Sequence, residues 1–578
     1  MNALRPTLAL AKRELRGAFS RWRLVAFLLV WITAAALLNL MLMPVATRDL
    51  SELANSSGDI LQYETLALLL GLCLVVPSLA AVGITAEREQ ETLDQLRLTL
   101  LSDSTILIGK SLAAMAAALA FIVATLPIFA VAQFSVGLDN TQILELLLYL
   151  FTFTFLIVQL GIACSAFFRR ALSSLTVSYL VLAVFVLLPL YLELSGTVPI
   201  FSRSSDSPIA SEWITAITPI SVLYTIINNG AIPAWQISTM CILPLLIGYL
   251  LNLIARWGIG RTANPKVVRQ SKLIKDEGVL LARRKTFPYY LIDPLKPRLQ
   301  IPDGKNAMFV REFRWGLFQR ATWMVRGTYA VFGISLLIFS ASVVNFSPDA
   351  QIIAFALLIG IFSLAIPAAF GNTFTKEREQ GNFDMLRMTL LSAREVILGK
   401  TLGGSAVLLP ALGAIFLAAF VAYVFLPESY ALAACGFITM LVCLTEMVSL
   451  SLFASIISRR TSSAVTLGAA LSVLAVFASY TIVWIIWNFI LAFSFNAGLA
   501  PGRERIPWWM TSAISPFSSY KESFLPDGLI LNRWNFYRLG GEGPDLEWLY
   551  GQFTGLSIAA VMLLVSGYIL ARYRMRDE

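Results

Sequence analysis

Two Gly-Lys-hydroxyl triplets most invite a chemical reading. Gly109-Lys110-Ser111 and Gly399-Lys400-Thr401 have the form that ends a phosphate-binding loop. The loop's first glycine is replaced by Ser104 in one copy and Arg394 in the other, no strand signal precedes either, and an apolar run follows. Nucleotide binding is therefore rejected at both positions. The 578 residues include no histidine, which removes His-based acid–base catalysis, nucleophile–His pairs and His-ligated metals. Cys73, Cys164, Cys241, Cys435 and Cys443 all lie in apolar runs without a CxxC pair. They read as small buried hydrophobes rather than metal ligands or disulfide partners. One acid, Glu446, stands inside an apolar run, and Gln159 lies near the matching place in the first half. An intramembrane acid points to a substrate path; a hydrogen bond to a neighbouring Ser or Thr is the alternative.

The triplets end a longer repeat. Residues 85–112 read TAEREQETLDQLRLTLLSDSTILIGKSL, and 375–402 read TKEREQGNFDMLRMTLLSAREVILGKTL, aligned without a gap. Repeats are sought first because they dictate architecture. The charged positions match best: Glu87/Glu377, Arg88/Arg378, Glu89/Glu379, Asp94/Asp384, Arg97/Arg387 and Lys110/Lys400. A helix is expected over 87–101. Leu93, Leu96 and Leu100 then share one face, as do Phe383, Leu386 and Leu390, with the charges opposite. Ser392 and Glu395 form a capping box at the start of the next helix, and Ser102 and Ser104 cap the first copy less fully. Lys110 and Lys400 are expected to snorkel towards headgroups.

Each polar island lies between long apolar runs. The chain is 57% hydrophobic and 14% charged, against about 25% charged in soluble domains. This is the composition of an all-α polytopic membrane protein. Twelve spans are expected, at 24–43, 65–84, 108–134, 143–168, 174–194 and 237–254, then 328–346, 352–372, 396–425, 430–457, 463–493 and 553–573. A loop is expected at 44–63 and an interfacial or re-entrant segment at 213–227. Residues 1–23 and 308–323 read as amphipathic interfacial helices sharing Arg13-Glu14-Leu15-Arg16 and Arg311-Glu312-Phe313-Arg314. The N-terminal segment is too long and charged for a cleavable signal.

The domain reading is therefore a first half at 1–258, a basic linker at 259–305 and a second half at 306–578. The net charge of +9 belongs to cytoplasmic loops rather than to a nucleic-acid site. The positive-inside rule puts both termini, both islands, the linker and the pairs Arg169-Arg170 and Arg459-Arg460 in the cytoplasm. Six spans per half give both halves one orientation, so a pseudo-two-fold axis along the membrane normal is expected.

Glu-x-Glu, then [TN]-[LF]-Asp-x-Leu, Thr-Leu-Leu-Ser and Gly-Lys at the next span, resembles the ABC-2 type transporter permeases over nearly the whole chain. The resemblance implies an elbow helix before each first span, and a coupling helix between spans two and three that docks on an ATP-binding subunit. Glu87, Arg88, Glu89, Asp94, Glu377, Arg378, Glu379 and Asp384 then belong to the coupling regions. The leucine faces seat in the partner, and Arg169, Arg170, Arg459 and Arg460 mark a second cytoplasmic contact. Two features depart from the common pattern: the halves are fused in tandem, and Gly381-Asn382 replaces Glu91-Thr92, which should weaken the second helix at its start.

The chain has no complete phosphate loop and no soluble segment large enough for an ATP-binding domain. ATP and Mg are therefore expected in separate partner subunits, two per chain, with this chain a non-enzymatic permease in the inner (cytoplasmic) membrane exporting an unspecified substrate. The alternatives are a twelve-span secondary transporter, which would need ion-coupling residues in its spans, and a membrane scaffold or sensor, which would not need two matched islands.

Overall fold

The computed structural model describes residues 4–19, 31–33, 36, 50–98, 101–136, 140–168, 170–195, 218–228, 234–263, 278, 281–282, 285, 306–315, 321–344, 348–381, 383, 388–389, 391–406, 408–423, 430–478, 515–524 and 546–575. Among these residues all regular structure is helical. The first half runs α1 (Leu4–Phe19), α2 (Leu50–Ala80), α3 (Thr85–Glu89), α4 (Leu93–Leu98), α5 (Asp103–Val136), α6 (Asn140–Phe167), α7 (Ala171–Ser195), α8 (Pro219–Asn228) and α9 (Ala234–Ala263). The second runs α10 (Ala307–Trp315), α11 (Ala321–Val344), α12 (Pro348–Phe370), α13 (Thr375–Glu379), α14 (Ala393–Ser405), α15 (Leu409–Tyr423), α16 (Tyr430–Ile457) and α17 (Thr461–Val473). It ends with α18 (Pro516–Phe524) and α19 (Leu546–Met575).

Among the described residues, eight helices are long and apolar enough to cross a membrane: Glu64–Glu89, Asp103–Pro127, Thr141–Phe167, Ala171–Pro189, Ile237–Ile259, Gln351–Glu379, Leu432–Ile457 and Trp548–Arg572. Helices α14 and α15, bent by 42° between them, make a ninth if counted as one span. Pro410 stands in the first turn of α15, where its ring disfavours continuation of the preceding helix. Val325–Ser340 and Thr461–Phe477 are apolar but shorter. Most of the expected span 24–43, and residues 479–493 of the expected span 463–493, lie outside the described residues.

The chain divides into two compact units, Met1–Asn264 with Phe477–Thr511, and Pro265–Val476 with Ser512–Glu578. In the first, α6 packs against α2, α5, α7 and α9, and α1 lies along α5. Its core includes Leu68, Val76, Ile84, Leu107, Tyr149, Phe153 and Ile157. In the second, α16 packs against α12, α17 and α19, and α10 lies along α14.

Two expectations are corrected. The loop expected over 44–63 is helical from Leu50. Helix α8 lies in the segment expected at 213–227, of which 213–217 are outside the described residues. The single helix expected over 87–101 is instead two short helices, α3 and α4. They are separated at Glu91, whose φ of 56° is incompatible with a continuous right-handed helix.

Candidate functional site

The islands begin where a span is made to stop. Pro77 and Pro367 occupy matching places near the ends of α2 and α12. Each carbonyl accepts one more bond, from Ala81 N–H and Gly371 N–H, both 2.8 Å, before the chain turns. The short helices α3 and α13 then need acceptors for their first N–H groups. In the first unit Ser165 Oγ, from the end of α6, accepts from Ile84 N–H at 2.9 Å and Thr85 N–H at 3.0 Å. In the second, Ser455 Oγ of α16 accepts from Phe374 N–H at 2.9 Å and Thr375 N–H at 3.3 Å.

The next two charges close the ends of the neighbouring helices. The Arg88 guanidinium donates to the carbonyls of Phe168 and Ala166, and Arg378 donates to those of Ser458 (2.7 Å) and Ile456 (3.1 Å). Those carbonyls are among the last of a span and have no partner within their helix. Glu89 accepts the Ala171 N–H at 2.9 Å. Glu379 accepts the Thr461 N–H and hydroxyl, both at 2.8 Å. Cation meets helix C-terminus and anion meets helix N-terminus, the favourable sense of the helix dipole. One Arg-Glu pair thus clamps each α6–α7 and α16–α17 turn from below.

The remaining charges form two neutral clusters. In the first, Lys110 Nζ lies 3.3 Å from Glu87 and 3.4 Å from Glu14, while Arg13 lies 2.8 Å from Glu14 and 3.5 Å from Glu87. The hydrogen bond to Glu14 raises the pKa of the Arg13 guanidinium. In the second, Lys400 Nζ lies 2.9 Å from Glu377 and 3.7 Å from Glu312, with Arg311 3.7 Å from Glu377. Lys400 also donates to the Thr373 carbonyl at 2.8 Å and sits 4.8 Å from the Phe374 ring centroid. The lysine side chains are only 4% and 1% exposed. Neither lysine snorkels, because a carboxylate within 3.3 Å compensates its charge where it stands.

The glycines before these lysines have a spatial role. A Cβ on Gly109 would come within 2.8 Å of Leu10 Cδ2, and one on Gly399 within 2.7 Å of Met308 Cβ and 2.8 Å of the Phe309 nitrogen. They let α1 and α10 press against α5 and α14 closely enough for Arg-Glu to reach Lys. Asn306 fixes the second contact. Its Oδ1 accepts from Met308 N–H at 2.9 Å, and its amide donates to the Glu395 carbonyl at 2.7 Å. The capping box at Ser392 and Glu395 is present, and Ser102 Oγ accepts the Thr105 N–H at 3.3 Å.

The apolar positions divide unexpectedly. Leu93 and Leu96 are 5% and 9% exposed, buried within their own unit rather than presented outward. Phe383 is half-buried and lies 5.4 Å from the Arg378 guanidinium. Leu98 and its match Met388 are 86% and 84% exposed. The side chains of Asp94 and Arg97 and the whole of Asp384, Leu386, Leu100, Leu390 and Arg169 lie outside the described residues; Arg170, Arg459 and Arg460 are exposed. Gln159 accepts from Asn252 at 2.9 Å. Ser165, Ser455 and Asn306 escaped the sequence reading, which placed Glu14 and Glu312 in a repeated motif but not beside the lysines. For the serines a signal existed, since they recur at the same spacing as the islands.

Two matches to known families follow the repeat. Residues 31–257 and 274–574 each match a family described as ABC-2 family transporter protein. The chain belongs to the ABC-2 transporter family. Comparison with curated proteins gave no match. As an ABC-2 permease with two fused halves it is a multi-pass transmembrane subunit of an ABC transporter. The repeated islands of the ABC-2 chain are therefore matching joints, one within each permease half.

Proposed function

We propose that the chain is the permease of an ATP-driven exporter in the cytoplasmic membrane, worked by two separate ATP-binding subunits that carry the ATP and Mg. Each subunit docks on one island from the cytoplasmic side, which also holds both termini. The observation that carries this reading is the exposure of Leu98 and Met388 at equivalent positions of the two islands. An isolated exposed leucine is ordinary. Two at matched positions, each on a segment clamped to several helices of its unit, support two equivalent contacts.

In this reading the islands are coupling elements. Arg88, Glu89, Arg378 and Glu379 pass a displacement to the α6–α7 and α16–α17 turns, while Glu87, Lys110, Glu377 and Lys400 pass it to α1 and α10. The buried leucines hold the lever to its own unit, and the exposed tip meets the partner. Arg170, Arg459 and Arg460 offer a second contact.

The test is co-expression with candidate ABC ATP-binding proteins, followed by co-purification and ATPase assay in vesicles. Leu98→Asp and Met388→Asp together are expected to lower partner affinity about tenfold or more, as loss of about 1–2 kcal/mol per apolar anchor implies. The melting temperature of the chain should stay unchanged. Undiminished co-purification and ATPase stimulation in the double variant would sink the docking assignment. ATP-dependent accumulation in inside-out vesicles is expected for export.

A further inference from the structure

Glu446 lies near the middle of the span Leu432–Ile457 and is fully buried. Among the described residues, neither carboxylate oxygen has a hydrogen-bond partner. The nearby Ser449 hydroxyl is turned to the Glu446 backbone carbonyl, at 2.7 Å, and leaves the carboxylate unserved. The fold does not need an acid here. By the spacing that matches Ser165 to Ser455, the first unit has Leu156 at this place, 3% exposed and part of its core. Gln159, one turn later, is satisfied by Asn252.

Among the described residues, the helices packed against α16 offer no compensating charge. Helices α12, α14, α15, α17, α18 and α19 pack against α16. Helix α17 has no ionisable residue, α12 has only Asp349 in its first turn, and α15 has only Tyr423 at its end. On α14, Lys400 is held by Glu377, Glu395 closes the capping box, and Arg394 is exposed. Helix α19 has none between Tyr550 and Tyr568, both exposed. On α18, Tyr520 donates to the Leu432 carbonyl, and the side chains of Lys521 and Glu522 lie outside the described residues. On α16 itself the neighbour is the buried thiol of Cys443, one turn back. A buried carboxylate without a cation or hydrogen-bond donors is strongly disfavoured against its neutral acid.

We propose that Glu446 is an intramembrane proton-binding site: a carboxyl that holds a proton in this closed packing and exchanges it reversibly. This assignment stands apart from the docking of ATP-binding subunits. The probe is N,N′-dicyclohexylcarbodiimide, applied to the full chain in lipid vesicles. The protonated acid adds across one C=N bond. Its oxygen bonds to the carbon, its proton goes to nitrogen, and the O-acylisourea rearranges to a stable N-acylurea on the side chain.

Peptide mass mapping is expected to place the adduct on Glu446, with labelling falling as pH rises and lost in Glu446→Gln. Because a dry site can exclude the reagent, infrared spectra of wild type and Glu446→Gln provide the second measurement. A protonated-carboxyl band present at neutral pH in the wild type, absent in the variant and diminishing in alkali supports the assignment even without an adduct. A band missing at neutral pH, or unchanged up to the pH at which the protein unfolds, overturns it.

Discussion

At Glu91 the backbone takes φ 56°, and at the matching Gly381 it takes φ 70°. Both positions make the same reversal after a five-residue helix, and there a Cβ is a burden while glycine has none. The sequence had suggested that Gly381 weakens the second island, on the assumption of a continuous helix. With the helix broken, the cost falls on Glu91. Glu91→Gly is expected to raise stability by about 1 kcal/mol, and Gly381→Ala to lower it by about as much. Denaturant titration of the detergent-solubilised protein would read both. At Lys400 the expectation is larger. Lys400→Met removes the cation 2.9 Å from a carboxylate that is only 11% exposed. A loss of about 3 kcal/mol is expected, much of it recovered by adding Glu377→Gln. No recovery in the double variant would mean that Lys400 acts chiefly through packing.

The helices α3 and α13 have five residues each, far too few to persist alone. They exist because other elements finish their hydrogen bonding. Ser165→Ala and Ser455→Ala each remove the acceptor for two N–H groups, and a loss of about 1–2 kcal/mol is expected from either. Gly399→Leu would drive a side chain into Met308 and Phe309. Hydrogen exchange should then show α10 loosened while α16 and α19 keep their protection. Equal protection of α10 in the variant would contradict a close-approach role for Gly399. These joints were only half legible in the sequence. The repeat marked where they are, and the Ser392 capping box was readable from four residues. The break at Glu91 was not, because the i, i+3, i+7 leucine pattern suits one long helix and the contacts that hold α3 come from the distant α6 and α7. Lone serines in apolar runs gave no local reason to be singled out.

Across the whole molecule, membrane residence, helical class and the doubling were written in composition and repetition, and two family matches of the same description fall on the two halves. The number of spans was less accessible, since apolar length alone does not reveal a bend such as that at α14–α15. Nor does periodicity tell which leucine of an amphipathic segment faces its own unit and which faces outward. Leu93 and Leu98 differ only in that. If both islands dock, native mass spectrometry of the assembled complex should give two ATP-binding subunits per chain. A ratio of one would mean that only one of the two exposed tips is used.

The clamp made by Arg88, Glu89 and Ser165 also sets an order of events during synthesis. Its donors and acceptors reach from Ile84 to Ala171, so the first joint stays open until the ribosome has released the start of α7. A nascent chain halted before Ala171 has Arg88 and Glu89 without their helix-end partners, whereas one halted beyond α7 can close the joint while the second unit is still unmade. Arrested chains of those two lengths should differ sharply in protease resistance near residue 90, which makes the start of α7, and of α17 in the second unit, the step that commits each island to its final form.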